Sequence, residues 1–262
     1  MYRLALYGKG GIGKSTTACN ISTALAARGH TVMQIGCDPK ADSTRLTMHG
    51  IEIPTVLDLM RTGDNLCLEE LVWSAPSGVL CVEAGGPVPG IGCAGRGIIT
   101  ALELLEKLDA YSVYRPDFVL YDVLGDVVCG GFAMPLRKGY SDAVMVVTSG
   151  EMMSLYAASN IILAVSSFQK RGYARFSGLI ANLRGIPDEQ EKIAEFCSQE
   201  QVNTVTIIPR SSEIQQAEDA CKPVTELFPH CDLTRKYEDL ALTIEQLGRD
   251  LSDKQPFGQA QY

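Results

Sequence analysis

The sequence predicts an α/β fold, a doubly wound and mostly parallel sheet flanked by helices. Three observations carry that expectation. Short apolar runs recur along the chain without strict alternation, as strands covered on both faces require. Amphipathic stretches lie between them, which makes right-handed βαβ crossovers the natural connection. A glycine-rich loop, Gly8-Lys9-Gly10-Gly11-Ile12-Gly13-Lys14-Ser15, falls where the first apolar run gives way to the first helical stretch.

In chain order, Arg3–Tyr7 is expected as the first strand and Ser15–Arg28 as the helix leaving the loop. Thr31–Gly36 and Val79–Glu83 are the next apolar runs, and both read as strands. Residues 84–97 (AGGPVPGIGCAGRG) are too rich in glycine for a periodic element and are expected as loop. Ile98–Leu108 reads as a helix and Phe118–Asp122 as a strand ending on a carboxylate. Strand Ala143–Thr148, helix Met152–Arg171, strand Gly178–Asn182, helix Asp188–Gln199 and strand Thr204–Ile208 continue the alternation. The last helix, Arg235–Leu251, carries mixed charge on its polar face. A membrane-seeking helix would gather Lys and Arg there, so a solvated structural helix is expected. No repeat or low-complexity linker interrupts the chain. Residues 1–251 are therefore expected to form one domain and residues 252–262 a polar, loosely held tail.

The 262 residues are enough for one large α/β domain with a well-buried core. A net charge of −8 argues against nucleic-acid binding, which normally shows a basic face. Met1-Tyr2-Arg3-Leu4 runs straight into a strand, no apolar run approaches the length of a membrane span, and a cytoplasmic chain is expected. Nine cysteines without a CxxC pair fit reduced thiols. Burial as small hydrophobes accounts for Cys19, Cys37, Cys67, Cys81, Cys197, Cys221 and Cys231. It accounts less well for Cys93 and Cys129, each flanked by glycine.

Gly8-x4-Gly13-Lys14-Ser15 has the phosphate-loop spacing, after a strand and before a helix. Its glycines let backbone N–H groups face phosphate oxygens, and the helix N-terminus adds positive potential. Lys14 suits the β- and γ-phosphates, and the Ser15 hydroxyl suits Mg²⁺. Lys9 is an extra cation inside the loop. Here the sequence resembles the deviant Walker A class of P-loop NTPases, which implies that Lys9 reaches the partner's nucleotide across a dimer.

Carboxylates at the C-terminal ends of parallel strands face the nucleotide crevice. Asp38, in the run Cys37-Asp38-Pro39-Lys40-Ala41-Asp42, is placed to orient the attacking water, with Asp42 near the metal. Asp122 reads as the Walker B ligand of Mg²⁺. Asp42 and Asp126 also suit plain turn formation. Cys93 and Cys129 lie 36 positions apart. A [4Fe–4S] cluster takes four thiolates, so two per chain would suffice if two chains met on a two-fold axis. Two structural cysteines remain the alternative on spacing alone.

The segments GKGGIGKST, GCDPKADST, GGPVPGIGCAGRGIIT, YDVLGDVVCGGFAMP and SGEMMSLYAASNI resemble the nitrogenase iron protein family, from the first residues to about Glu218. That family includes nitrogenase-like ATP-dependent reductases of tetrapyrrole biosynthesis. The resemblance implies a homodimer sharing one [4Fe–4S] cluster through Cys93 and Cys129, two bound MgATP, and single electrons passed from a ferredoxin or flavodoxin donor to a catalytic metalloprotein. It places phosphate contacts on Lys9, Lys14, Ser15 and Thr16, a first switch on Asp38, Lys40 and Asp42, and a second on Asp122 to Asp126. Adenosine contacts fall on Asn182, Pro209, Arg210, Gln215 and Glu218. Arg96 matches a partner-docking arginine. Asp122 and Cys129 are seven residues apart, a reach of at most roughly 25 Å, so one segment can touch both Mg²⁺ and a cluster ligand. Nucleotide state is expected to move that segment, with Asp126 in its middle. After Glu218 the motifs thin out without the family's long C-terminal tail, and Asp58–Ser77, with Trp73 and Pro76, has its own character. These departures favour a nitrogenase-like acceptor, such as a tetrapyrrole or a small sulfur or carbon compound, over dinitrogen. A positioning ATPase would need no cluster, and an iron–sulfur carrier ATPase would show a CxxC pair.

Overall fold

A computed structural model describes residues 1–63, 65–86, 94–125, 133–137, 139–169 and 173–254 of the chain. The order is β1 (Tyr2–Tyr7), α1 (Lys14–Ala27), β2 (Val32–Cys37), α2 (Val56–Thr62), α3 (Leu68–Leu71), β3 (Trp73–Ser74) and β4 (Leu80–Glu83). Then follow α4 (Ala94–Lys107), α5 (Ala110–Tyr114), β5 (Phe118–Val123), a 3₁₀ turn (Met134–Leu136), β6 (Ala143–Thr148), α6 (Met152–Gln169) and β7 (Arg175–Asn182). The chain continues through α7 (Glu189–Glu200), β8 (Thr204–Ile208), α8 (Ser212–Asp219), α9 (Val224–Leu227) and α10 (Asp232–Lys254).

The described strands form one eight-stranded sheet in the order β3-β4-β2-β5-β1-β6-β7-β8. Every pairing is parallel except β3 with β4. All six residues of β2, β5 and β6 are buried, the signature of strands covered on both faces. Alternation divides them between two cores. Leu4, Leu6, Leu120 and Met145 pack with Ile21 and Leu25 of α1 and Leu240 and Ile244 of α10. Ala5, Tyr7, Val119, Tyr121 and Val146 pack on the other face with Ile98 and Leu102 of α4 and Ile161 and Val165 of α6.

The doubly wound, mostly parallel sheet is as the sequence predicts, with several local departures. The stretch 84–97 is not loop throughout, because α4 begins at Ala94. Burial of the Ile98, Ala101, Leu102 and Leu105 stripe outweighs the roughly 1 kcal/mol that each helical glycine costs. Strand β7 begins at Arg175, ahead of Gly178, which sits inside the strand at φ +138°. The ladder to β8 slips register next to it, between Leu179 and Ile180. Helix α10 runs to Lys254, past the Leu251 boundary, since no breaker precedes Pro256. Cys67 is exposed rather than buried, at the N-terminus of α3. Its backbone N–H donates to the Glu70 carboxylate at 2.9 Å, so it serves the helix end and not a core.

Candidate functional site: a nucleotide crevice at the strand ends

The phosphate loop leaves β1 and enters α1 at the C-terminal edge of the sheet. Gly13 caps α1 at φ +95°, and a Cβ there would stand 2.4 Å from Asn182 Nδ2. Only glycine meets both demands. The turn closes through Ile12 N–H donating to Lys9 O at 3.2 Å, and Thr17 N–H donating to Gly13 O at 2.9 Å opens the helix. Lys14 is buried, with its ammonium donating to Lys9 O at 3.3 Å, so its charge lies over the loop's own backbone. Lys9, Gly10 and Gly11 are exposed.

Strand β5 lies directly beside β1, with Asp122 opposite Leu6 on one side and opposite Gly36 of β2 on the other. Asp122 is 2 % exposed, and neither of its oxygens meets hydrogen-bond geometry with a neighbour. Burial raises its pKa. The Ser15 hydroxyl, the Lys14 ammonium and the Ser43 hydroxyl pull it back, without closing a hydrogen bond, and Asp38 pushes it up again. A buried carboxylate with both oxygens unsatisfied beside a serine and a lysine is a fitting ligand for a divalent cation. Among the described residues no three His, Cys, Asp or Glu side chains gather as a metal site. Mg²⁺ here would complete its shell with phosphate and water oxygens, its usual habit.

After β2 the chain turns at once. Asp38 Oδ1 accepts the Lys40 N–H at 2.9 Å, and Asp38 O accepts the Ala41 N–H at 3.0 Å. Ala41 takes φ +53°, and Lys40 and Asp42 are exposed. Asp38 is thus a turn former whose charge also bears on Asp122.

A cavity of about 360 Å³ extends from the loop, between Gly11, Gly13 and Thr16 on one wall and Asn182, Arg210, Gln215 and Glu218 on the other. Asn182 Nδ2 donates to Ile12 O at 2.7 Å, and the Thr16 hydroxyl donates to Glu218 Oε1 at 3.2 Å. The residues that the resemblance assigns to adenosine therefore converge, except that Pro209 only leads from β8 toward the cavity. Sequence reasoning missed Arg184, whose guanidinium donates to Gly11 O and whose carbonyl accepts Arg210 Nη1 at 2.9 Å. It also missed Glu189, 5 % exposed, which accepts backbone N–H bonds from Gly150 at 3.1 Å, Gly185 at 2.8 Å, Ile186 and Arg184. Burial alone would raise the Glu189 pKa; the four amides outweigh it and hold the carboxyl below its usual range. A glutamate opening a helix gives no sequence signal of such a role.

A second cavity, about 440 Å³, lies at the opposite edge of the sheet, lined by His30, Phe118 and Glu245. Ligands of open parallel sheets sit at the carboxyl ends of the strands, which favours the smaller one. Cys93, Cys129 and Asp126 lie outside the described residues. Arg96 is exposed in the first turn of α4, directly after the Cys93 segment.

Comparison with known proteins now separates the possibilities. Two solved structures share the fold: MinD from Aquifex aeolicus (TM-score 0.69, 19 % identity, covering 94 % of this chain and 98 % of that one) and MinD complexed with Mg-ADP from Pyrococcus horikoshii (TM-score 0.71, 20 % identity, 94 % and 96 %). At such identity the likeness concerns the fold alone. The nitrogenase iron protein of Methanospirillum hungatei is 54 % identical over 92 % of this chain and 86 % of its own length. Nitrogenase iron protein 2 of Methanothermococcus thermolithotrophicus is 48 % identical over 93 % and 88 %. The model of the 4Fe-4S iron sulfur cluster binding proteins, NifH/frxC family, matches residues 2–255, well past Glu218. The chain belongs to this nitrogenase iron protein family of ATP-dependent iron–sulfur reductases.

Proposed function

We propose that the chain is the electron-donating component of a nitrogenase-type complex, coupling MgATP hydrolysis to single-electron delivery. The observation that carries the nucleotide half is Asp122, a buried carboxylate with two unsatisfied oxygens beside the phosphate loop. In this reading Lys14 neutralises phosphate charge, Ser15 and Asp122 hold Mg²⁺, and Asp38 orients the attacking water. Lys9 supplies charge to the nucleotide of a second copy. Cys93 and Cys129 of two copies would hold one [4Fe–4S] cluster, which supplies the one-electron chemistry. Arg96, exposed beside the Cys93 segment, faces the catalytic metalloprotein, and a ferredoxin or flavodoxin refills the electron. Residues 1–251 act as one unit in this scheme.

Anaerobic purification followed by iron and acid-labile sulfide analysis tests the scheme, with about four irons per dimer expected. An iron-free wild type that still hydrolyses ATP would instead mark a positioning ATPase. A cluster readily passed to an apo-acceptor would mark a carrier. On the acceptor, the relatives named nitrogenase iron protein support a partner of nitrogenase type and, through it, dinitrogen. The segment Asp58–Ser77, whose sequence has its own character and which holds most of α2, with α3 and the short edge strand β3, supports the second reading, a tetrapyrrole or other small compound. Isolating the partner by pull-down and assaying it for acetylene and dinitrogen reduction separates the two.

A further inference from the structure

The C-terminal ends of three neighbouring strands carry a row of residues on the α1 face: Glu83 of β4 opposite Gly36 of β2, which is opposite Asp122 of β5. Glu83 is 1 % exposed, and the nucleotide chemistry described above does not use it. Its Oε1 accepts both the backbone N–H of Thr44, at 2.6 Å, and the Thr44 hydroxyl, at 2.7 Å. Thr44 closes the turn that begins at Asp38. Gly36 makes room for this contact, since a Cβ there would lie 1.9 Å from Glu83 Oε2 and 2.7 Å from Ser43 Cβ. Further ties run alongside. Ala84 N–H donates to Gly36 O at 2.9 Å, and Gly86 lies so close to Pro39 that a Cβ would meet Pro39 Cβ at 2.5 Å.

The 36–44 turn and the 83–86 segment thus form one clamped unit, with Glu83 as the side chain that fastens it. The chain leaving Gly86 reaches Cys93 seven residues later. We propose that Glu83 is a positioning residue that transmits the state of the Asp38–Asp42 turn into the segment leading to Cys93. The nucleotide site would then have a second line to the metal, separate from the run between Asp122 and Cys129. This inference rests on the cluster assignment made above.

The contact is built to be stiff. Two donors meet one oxygen in a site closed to water, where a hydrogen bond is stronger than at a surface and an unmade one costs more. Burial pushes the Glu83 carboxyl up to about 8, the Thr44 donors pull it down, and the Asp122 and Asp42 charges add to the rise. A neutral amide of the same shape can therefore take its place, which makes Glu83→Gln the conservative control.

The full chain is measured with and without MgADP in two ways: hydrogen exchange of the Ala84–Gly86 amides, and the reduction potential of the reconstituted dimer. In the wild type, MgADP should slow that exchange and shift that potential. Thr44→Val removes the hydroxyl donor from a residue outside the phosphate contacts. It should leave MgADP affinity within about threefold while losing roughly half or more of both responses. Glu83→Gln should keep them. Full responses in Thr44→Val, and also in Glu83→Ala where that variant folds, would overturn the proposal. A wild type that binds no iron, but whose exchange response is present and lost in Thr44→Val, upholds the clamp and removes the cluster reading instead.

Discussion

Asp122 shows how a single residue can favour a ligand over the empty fold. Its carboxylate is buried with neither oxygen in hydrogen-bond geometry, so the nucleotide-free chain bears a desolvation cost that a bound Mg²⁺ would relieve. Asp122→Asn is expected to abolish Mg²⁺-dependent ATP hydrolysis, by ~10³-fold or more, while raising the melting temperature of the nucleotide-free chain. Phosphate release and calorimetry on one preparation check both halves. Glu189 behaves in the opposite way. Its folded pKa is depressed, so its stabilisation is complete above its ordinary 4.5 and is lost as pH falls through the folded value. Glu189→Gln should cost roughly 1–3 kcal/mol at pH 7, with the gap to wild type closing as pH drops below 4.5 in thermal melts. Nucleotide affinity should weaken in step, since the 182–184 segment lines the crevice and Glu189 holds Arg184. The phosphate loop and Asp122 were legible in the sequence because local geometry, a strand end and a helix start, defines them. Glu83, Arg184 and Glu189 were not. Glu83 and Arg184 gain their roles from groups far away in sequence, and Glu189 ties distant Gly150 to the 184–186 turn just ahead of its own helix; no spacing rule encodes such encounters.

At the scale of elements, the irregular strand β7 is the point of strain. Gly178 sits at φ +138°, and an added Cβ would stand 2.2 Å from Val205 Cγ2. Gly178→Ala is therefore expected to destabilise the chain by about 1–3 kcal/mol, measured by denaturant unfolding. The cost falls on the β7–β8 ladder, so the Asn182 end of the crevice should lose order first, seen as faster amide exchange there. Long helices with strong apolar stripes, such as α4 and α10, could be read from periodicity, and the central strands from their unbroken apolar runs. The short pieces α2, α3, α5, α8, α9 and β3 could not, because a helix of one or two turns gains its stability from docking and not from its own pattern. Glycine misled in both directions: it hid the first turn of α4 and the first residues of β7, where tertiary packing overrides local preference.

For the whole molecule, the proposed role of the exposed Lys9 would make an oligomer part of the chemistry. Lys9→Ala should keep MgADP affinity within about threefold yet lose ATP hydrolysis by ~10³-fold. In the wild type the rate per chain should fall on dilution as dimers part. A rate independent of concentration would show each chain to be complete alone. The doubly wound architecture was legible because its rules are few: parallel strands need crossovers, and crossovers have one hand. The order of strands was not legible, since it depends on which runs find each other after collapse.

That order has a consequence for synthesis. The first two strands to emerge, β1 and β2, are not neighbours; β5, residues 118–123, lies between them and bonds to both. A nascent chain shorter than this holds β1 apart from the β3-β4-β2 set, each with an open edge, and lacks the carboxylate beside the phosphate loop, since Asp122 arrives with β5. The insertion of that one strand joins β1 to β2 and brings Asp122 beside the phosphate loop, before β6, β7 and β8 extend the sheet. Chains arrested before Phe118 should bind chaperones and ignore ATP, whereas the full sheet should gain protease resistance and ATP affinity together.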